Sequence, residues 1–229
     1  MTRAYEHFVD CMRAGSDGVT KAYGKHSFDV LAERPDLAGT FQRAMSNFSV
    51  VAAQAILDTY DFTGIRRLAD VGGGQGVLLA SILKRYPQMQ VILYDLPEVV
   101  DGVPQDRFAG CGGRVSIESG SFFERVPAGC DACVMKHIIH DWNDDHCRPI
   151  LGLMREQLPP NGRVLICEMV IGDDPGPAPA KMLDIEMLAD CRRPGAINGR
   201  ISRSICVSRP SPQPNRAHDK RRLHCRSFE

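Results

Sequence analysis

The sequence predicts an α/β fold in which helices cover both faces of a doubly wound parallel sheet. Three observations lead to this prediction. Short apolar runs alternate with helical segments between residues 66 and 168, the runs are almost continuously apolar, and a glycine-rich loop directly follows the first run. Such alternation is typical of a parallel sheet buried on both faces. Ligands of these sheets bind at the carboxyl ends of the strands.

The first sixty residues are predicted to be helical. Apolar residues recur at spacings of three and four, which indicates one buried helical face, and Thr40 is a candidate cap at its start. These apolar residues are Phe41, Ala44, Met45, Phe48, Val51, Ala52, Ala55 and Ile56. Residues 61–64 (DFTG) break the pattern. We therefore expect an N-terminal helical segment over residues 1–60.

Five strands and two long helices are expected in the core that follows, over residues 61–190. The strands are predicted at 68–71, 91–95, 114–118, 132–136 and 163–168, and the helices at 77–86 and 144–158. The turn at 159–162 (PPNG) separates the second helix from the last strand.

The composition favours a globular protein in the cytoplasm. The sequence contains no run of 18 apolar residues that would predict a membrane span, and residues 1–10 do not resemble a secretory signal. The nine cysteines are odd in number and irregularly spaced, which argues against a disulfide framework. The pair Cys130 and Cys133 begins the fourth predicted strand, so we interpret it as buried rather than as a redox or zinc site.

The last 39 residues differ in charge from the rest of the chain. Residues 191–229 hold ten Lys or Arg, two acids and four prolines, a net charge of +8, whereas residues 1–190 carry −8. This segment has no apolar periodicity, so it is predicted to be a disordered basic tail. A basic tail can bind nucleic acid nonspecifically. The sequence contains no recognisable nucleic-acid module, so no specific nucleic-acid partner is expected.

The glycine loop is the first candidate functional feature. Gly72, Gly74 and Gly76 follow a strand and open a helix, which allows a tight turn and close approach of a ligand. A dinucleotide fingerprint would require glycine at position 77, where Val77 stands. NAD is therefore a disfavoured ligand.

Two carboxylates on either side of the loop indicate a different cofactor. Asp70 precedes the loop, where it would repel a pyrophosphate but suit a cationic ligand. Asp95 ends the next strand, where it can accept hydrogen bonds from both hydroxyls of a ribose. S-adenosylmethionine (SAM) combines a ribose with a sulfonium and an α-amino group, so it is the predicted cofactor.

A candidate base follows the fourth strand, in residues 136–142 (KHIIHDW). Methyl transfer to oxygen requires a base, and histidine has an unperturbed pKa of about 6.5. His137 and His140 both qualify, although either histidine can instead be a packed core residue. Glu168, at the end of the neighbouring strand, can orient an imidazole. The spacing of nearby His, Asp and Cys residues matches no zinc pattern, so no metal is predicted.

Four segments resemble one family, the SAM-dependent O-methyltransferases of the caffeate, acetylserotonin and hydroxyneurosporene type. They are residues 68–76 (LADVGGGQG), 94–99 (YDLPEV), 136–147 (KHIIHDWNDDHC) and 161–170 (NGRVLICEMV). The resemblance covers about residues 20–189. It implies a Rossmann-like SAM-binding core that methylates a hydroxyl of a small aromatic, polyketide-like or isoprenoid-like metabolite in secondary metabolism.

The resemblance also implies roles for individual residues. His140 matches the catalytic base, Asp141 its acidic neighbour, and Glu168 one of two glutamates that hold the base. The predicted cofactor-binding residues lie in the glycine loop, at strand ends and on the helix before the core. They are Asp70, Gly72, Gly74, Gly76, Asp95, Leu96, Ser121, Phe122, Lys136, Met45 and Ser49.

Ser121 departs from the family pattern, in which an acid at this position contacts the adenine amine. A hydroxyl can still accept this hydrogen bond, but without charge assistance, so we expect weaker SAM affinity.

The two ends of the chain also depart from the family. Family members begin with a winged-helix dimerisation domain and are usually homodimers, and only a remnant of that region is recognisable in residues 1–60. They continue beyond position 188 into a G-[GR]-x-E-R-T segment and a terminal hairpin. We therefore expect a sheet without its last two strands and with an exposed fifth-strand edge. We interpret residues 191–229 as an out-of-frame translation, and the alternative function is a catalytically inactive SAM-binding remnant.

Overall fold

The computed structural model describes residues 2–14, 16–171, 175–190 and 223–228. The strands in these ranges are β1 Arg67–Val71, β2 Gln90–Asp95, β3 Val115–Ser119, β4 Ala132–Lys136, β5 Arg163–Met169 and β6 Leu223–Phe228. They form one sheet in the order β3-β2-β1-β4-β5-β6. β1 to β5 are parallel, and β6 runs antiparallel to β5. The predicted α/β class is confirmed.

Helices precede the sheet and connect its strands. The N-terminal segment contains a 3-10 helix at Thr2–His7, α1 Phe8–Ala14, α2 Gly18–Tyr23, α3 Ser27–Glu33 and α4 Pro35–Thr59. The core contains α5 Val77–Arg85, α6 Pro97–Val100, α7 Asp144–Glu156 and α8 Pro179–Asp190, and a short 3-10 helix at Ile139–Asp141.

The central strands are continuously apolar because both of their faces are buried. Alternate side chains point to opposite faces of a strand, so β1 contributes Leu68 to one core and Ala69 to the other. The first core packs the sheet against α4 and α5, through Ala53, Ile56, Leu57, Leu78, Leu79, Ile82 and Leu83. The second core packs the opposite face against α7, through Cys147, Ile150 and Met154.

The helix α4 begins earlier and buries a smaller face than the sequence predicts. Pro35 occupies its first turn, and the hydroxyl of Thr40 donates to the carbonyl of Asp36 at 3.1 Å, so the prediction that Thr40 caps the helix is wrong. The buried residues lie in the C-terminal half, where α4 packs on α5: Ala52, Ala53, Ile56 and Leu57. Val51 is 62% exposed, so the predicted face is only partly buried.

The strand β6 comes from the segment that is predicted to be a disordered tail. It pairs with β5 from Val164↔Phe228 to Met169↔Leu223. For residues 223–228 the tail prediction is wrong, and so is the expectation of an exposed edge on β5. An edge strand can pair with any extended segment through backbone groups alone, which requires no apolar periodicity. The remainder of the predicted tail lies outside the described residues.

The cysteines at the start of β4 are buried. Burial raises the pKa of Cys130 to about 11 and that of Cys133 to about 12, so both stay protonated thiols near neutral pH. This agrees with the structural interpretation of the pair. None of the described helices has the length and hydropathy that crossing a bilayer requires.

Candidate active site

The glycine loop connects β1 to α5 at the carboxyl edge of the sheet. Gly72, Gly74 and Gly76 have φ values of 74°, 57° and 71°, in the left-handed region that favours glycine. The amide of Gly72 donates to the carbonyl of Tyr94 at 2.8 Å, which ties the loop to β2. A Cβ at Gly72 would lie 2.7 Å from the Cδ1 atom of Ile138, so the loop also packs closely against the turn after β4.

Asp95 is held at the mouth of this loop. Its Oδ2 accepts from the amide of Gly74 at 2.7 Å, and its Oδ1 accepts from the amide of Leu96 at 2.8 Å. Burial raises the pKa of Asp95, while these two amide hydrogen bonds act in the opposite direction. The carboxylate is oriented by the backbone and retains lone pairs for a ligand hydroxyl.

Asp70 is a buried carboxylate without a hydrogen-bond partner among the described residues. The side chain is fully buried, and both of its oxygens lack a partner. Burial raises its pKa to about 7, the charge of Lys136 acts to lower it, and that of Asp95 acts to raise it. An unpaired buried acceptor is costly. Its position below the glycine loop, 2.9 Å from where a Cβ on Gly73 would stand, fits a ligand that brings positive charge.

Lys136 and Ser49 join the sheet edge to α4. The Nζ of Lys136 donates to the Oγ of Ser49 at 2.9 Å, across 87 residues of sequence. Burial lowers the pKa of Lys136, and the nearby Asp70 opposes that shift. Met45 lies one turn before Ser49 on α4 and is 42% exposed. This part of α4 therefore borders the same edge as the glycine loop.

The remaining predicted cofactor residues follow β2 and β3. The Oγ of Ser121 accepts from the amide of Phe123 at 3.2 Å, which fixes the hydroxyl in the turn after β3. The ring of Phe122 borders the glycine loop, since its Cε1 would lie 3.8 Å from a Cβ at Gly72. Leu96 is 37% exposed beside Asp95.

The structure brings together His140 and Glu168 at the ends of β4 and β5. The Nδ1 of His140 lies 2.7 Å from the Oε2 of Glu168. The Oε1 of Glu168 accepts from the amides of Ile138 and Ile139, at 3.0 and 2.9 Å. Two successive amides point at one carboxylate because His137 turns the chain with a φ of 57°.

Glu168 is buried and charged. Burial acts to raise its pKa, but the neighbouring His140 and His137 outweigh this and hold the pKa of Glu168 well below its usual range. An ionised Glu168 accepts the Nδ1 proton of His140, so we assign the lone pair of the neutral ring to Nε2. The Oδ1 of Asp141 lies 3.3 Å from this Nε2. A proton gained at Nε2 therefore faces a second carboxylate.

His137, the rival candidate, is held less directly. Its Nδ1 lies 3.6 Å from the Oε2 of Glu168, and neither ring nitrogen forms a hydrogen bond within the described part of the chain. Burial lowers the pKa of His137, an effect that Glu168 opposes. Its ring contacts that of Phe48, with the centroids 5.2 Å apart. The geometry therefore favours His140 as the oriented base.

The two histidines and Glu168 also present ligand atoms within 4.8 Å of one another, a set that can bind a metal ion. Two ligands about 2.0–2.1 Å from a tetrahedral zinc stand about 3.3 Å apart. The separation of 2.7 Å between His140 and Glu168 fits a hydrogen bond better.

An open cleft of about 570 Å³ lies beside this pair. Met169 directly follows Glu168, and Phe48 contacts His137, so the cleft adjoins the end of β5 and the turn that carries the two candidate histidines. Among the residues that the structure describes, its lining is apolar except for one acid: Phe48, Met169, Pro177, Ala178, Pro179, Met182, Leu183 and Glu186. Of these residues, the apolar periodicity of the sequence predicted only Phe48, as part of a helix face. The apolar residues in 177–183, after the last predicted strand, are the signal that would have pointed to the others.

Trp142 packs the N-terminal segment against the turn after β4, which carries the two candidate histidines. Its ring stacks on those of His26 and Phe28, at centroid distances of 5.7 and 6.4 Å, and meets the edge of Phe123 at 4.6 Å. The tryptophan is therefore a packing residue between α3 and the loops after β3 and β4.

Comparison with known proteins identifies the family of this chain. The family model described as the O-methyltransferase domain matches residues 5–197. The chain is 35% identical over 174 residues to O-demethylpuromycin-O-methyltransferase of Streptomyces alboniger, covering 75% of this chain and 46% of the relative.

Solved structures show the same fold. The crystal structure of LaPhzM superposes with a TM-score of 0.78 at 32% identity, over 82% of this chain and 57% of that one. A second similar structure is that of NcsB1, an O-methyltransferase from neocarzinostatin biosynthesis solved with SAM and 2-hydroxy-5-methyl naphthoic acid. It superposes with a TM-score of 0.73 at 28% identity, over 82% of this chain and 56% of NcsB1.

The chain spans about half the length of the curated relatives it matches. These comparisons give no support to the alternative of an inactive remnant, and they confirm the family resemblance. With its glycine loop, flanking carboxylates and histidine–glutamate pair, the chain belongs to the family of SAM-dependent O-methyltransferases that act in secondary metabolism.

Proposed function

We propose that this chain binds SAM at the carboxyl ends of β1 and β2 and methylates a hydroxyl of a small aromatic metabolite, with His140 as general base. The observation that carries the proposal is the hydrogen bond of 2.7 Å between His140 and a Glu168 carboxylate held by two backbone amides. This pair adjoins the glycine loop, because Ile138 packs against Gly72.

The residues around the loop fit the cofactor. SAM, when bound, supplies a methyl group on a positively charged sulfur. Asp70 offers an unpartnered buried carboxylate to positive charge, and Asp95 offers oriented oxygens to the ribose hydroxyls. Lys136, Ser49 and the turn at Ser121 complete the predicted set. A bound SAM in the similar NcsB1 supports this choice.

His140 accepts the hydroxyl proton at Nε2. Glu168 keeps the other ring nitrogen protonated and prevents the ring from rotating, and Asp141 stabilises the imidazolium that forms. Removing the proton makes the acceptor oxygen a stronger nucleophile. General base catalysis of this kind contributes about 10²–10⁴-fold to the rate.

The apolar cleft is the proposed acceptor site. Its volume of about 570 Å³ falls within the range of small-molecule pockets, about 300–1,000 Å³. Transfer of an aromatic ring from water to this apolar lining lowers the free energy of the system. NcsB1 was solved with a naphthoic acid, which is an aromatic compound like the acceptor proposed for this cleft.

The test combines binding and turnover of the full chain. Calorimetry measures SAM affinity, and transfer of a labelled methyl group to a panel of phenols and hydroxynaphthoates measures activity. His140→Ala should lose transfer by about 10²-fold or more and retain SAM affinity. The matched variant His137→Ala should retain most of its activity. Loss of transfer in His137→Ala, with His140→Ala still active, would reassign the base.

A homodimer is proposed from the family resemblance alone, and light scattering of the purified chain checks it. The cytoplasmic location stays a prediction, and so does the division of the chain into residues 1–60, 61–190 and 191–229.

A further inference from the structure

We propose that Glu186 makes this enzyme select aromatic acceptors that carry a positively charged amine. The inference rests on the proposed function, which places the acceptor in the apolar cleft. Glu186 is the single charged residue among the eight described residues that line the cleft. It lies on α8, on the wall formed with Met182 and Leu183.

The carboxylate of Glu186 is anchored on one side and available on the other. The hydroxyl of Tyr5, from the N-terminal 3-10 helix, donates to its Oε2. Over the residues that the structure describes, Glu186 forms no ion pair, and its Oε1 accepts no hydrogen bond. The nearest lysine on α8, Lys181, donates instead to the carbonyl of Gly176 at 2.7 Å. Within the described ranges, the negative charge therefore has no counterion.

The position of this charge suits a two-ended acceptor. One end of the cleft adjoins the base, because Met169 follows Glu168 and Phe48 contacts His137. Glu186 belongs to the same lining. An acceptor whose hydroxyl lies at His140 can extend across the apolar wall and direct an ammonium group to the Glu186 carboxylate.

Physical chemistry sets the size of the preference. Exposed ion pairs contribute little, about 0–1 kcal/mol. Occupation of the cleft excludes water from one side of Glu186 and lowers the local dielectric, which strengthens the attraction. A charge-assisted hydrogen bond in such a setting changes affinity by about tenfold, which corresponds to ~1.4 kcal/mol.

Two probes that differ by one amine test the inference without requiring turnover. Tyramine and 4-ethylphenol share the phenol and the two-carbon arm, and only tyramine carries an ammonium group. Calorimetry or ligand-observed NMR measures both dissociation constants on the full chain saturated with S-adenosylhomocysteine. We expect tyramine to bind about tenfold more tightly, and Glu186→Gln to remove this preference while the affinity for 4-ethylphenol stays the same.

The control is Glu156→Gln, which removes an exposed charge at the end of α7, outside the cleft lining. This variant should retain the preference for tyramine. Equal binding of the two probes, an unchanged preference in Glu186→Gln, or binding of neither probe would overturn the inference. Methyl transfer is measured separately. Its absence would contradict the proposed function, whereas transfer to both phenols without discrimination would contradict only the role of Glu186.

Discussion

The proposed cofactor side and the proposed acceptor side of the site are built in different ways. The cofactor side is centred on one continuous stretch, from Asp70 through the glycine loop to Asp95, in which backbone amides hold the carboxylate of Asp95. The acceptor side combines α4, the end of β5 and α8, which are far apart in sequence. A local motif can therefore specify a cofactor site, whereas the proposed acceptor site depends on how distant segments pack.

The largest effect is expected from Glu168→Gln, which should reduce turnover and leave SAM binding intact. The amide retains an oxygen for the two backbone amides but loses the charge that stabilises an imidazolium at His140. We expect kcat to fall by about 10²–10³-fold, the scale of general base catalysis. Steady-state kinetics and calorimetry measure the two quantities, and Glu156→Gln controls for the loss of one negative charge. A large loss of SAM affinity would remove the proposed division between the two sides.

Gly72→Ala, in contrast, should weaken SAM binding, because the substitution alters the cofactor side. The alanine would be strained at a φ of 74°, and its Cβ would meet Ile138 at 2.7 Å. Gly24→Ala is a matched control, because Gly24 has a φ of 73° and open space around its Cβ position. We expect the control to lose about 1 kcal/mol of unfolding free energy in urea, and Gly72→Ala to lose more. SAM affinity should fall at least about tenfold in Gly72→Ala and stay the same in the control. Equal behaviour of the two variants would show that the Ile138 contact is unimportant.

The pH dependence of SAM binding sharpens the role of Asp70. With a pKa of about 7 the carboxyl group is mostly protonated at pH 6 and mostly ionised at pH 8. A cationic ligand favours the ionised form, so affinity should rise about tenfold between these pH values. Asp70→Asn should bind more weakly and without this rise. A wild-type affinity that does not change between pH 6 and pH 8 would contradict the pairing.

The same group has an opposite effect on the stability of the unliganded protein. The folded-state pKa of about 7 lies above the unfolded value of about 3.9, so the folded state binds more protons between these values. The contribution of Asp70 to stability is therefore complete below about pH 4 and is lost as the pH rises to 7. Urea denaturation at a series of pH values gives the free energy of unfolding. Between about pH 4 and pH 7 this free energy should fall more steeply with pH in the wild type than in Asp70→Asn.

The smallest effect is expected from Ser121→Asp. Ser121 lies in the turn after β3, where its hydroxyl accepts from the amide of Phe123. A carboxylate would add charge assistance to a hydrogen bond from the adenine amine, so SAM affinity should rise by about threefold to tenfold. Ser116→Asp, which adds the same charge at an exposed position of β3 paired with Ile92, should leave the affinity unchanged. An unchanged affinity in Ser121→Asp would remove this explanation for the departure from the family pattern.

Much of the fold is predictable from sequence because its signals are local. The apolar runs become β1 to β5, and the glycine loop joins β1 to α5 as predicted. Predictions that depended on one-dimensional periodicity alone were less successful. Thr40 lies within α4 rather than at its start, and the exposure of Val51 depends on which half of that helix meets α5.

Long-range contacts account for what the sequence analysis left open or missed. His137 and His140 are equivalent candidates by residue type, and only the distance to Glu168, 28 residues from His140, separates them. The pairing of β6 with β5 depends on backbone groups that leave no side-chain pattern. Glu186 meets Tyr5 across 181 residues, so its place in an apolar cleft has no local signal.

The family, the α/β core and the glycine loop are evident from the order of the residues. Left-handed glycines, apolar strands and flanking carboxylates act through neighbouring residues, so their meaning survives in the linear order. The choice of the histidine that Glu168 holds, and the set of side chains that line the apolar cleft, follow from the tertiary structure alone. Those facts depend on distances between segments, and packing sets such distances after the local elements have formed.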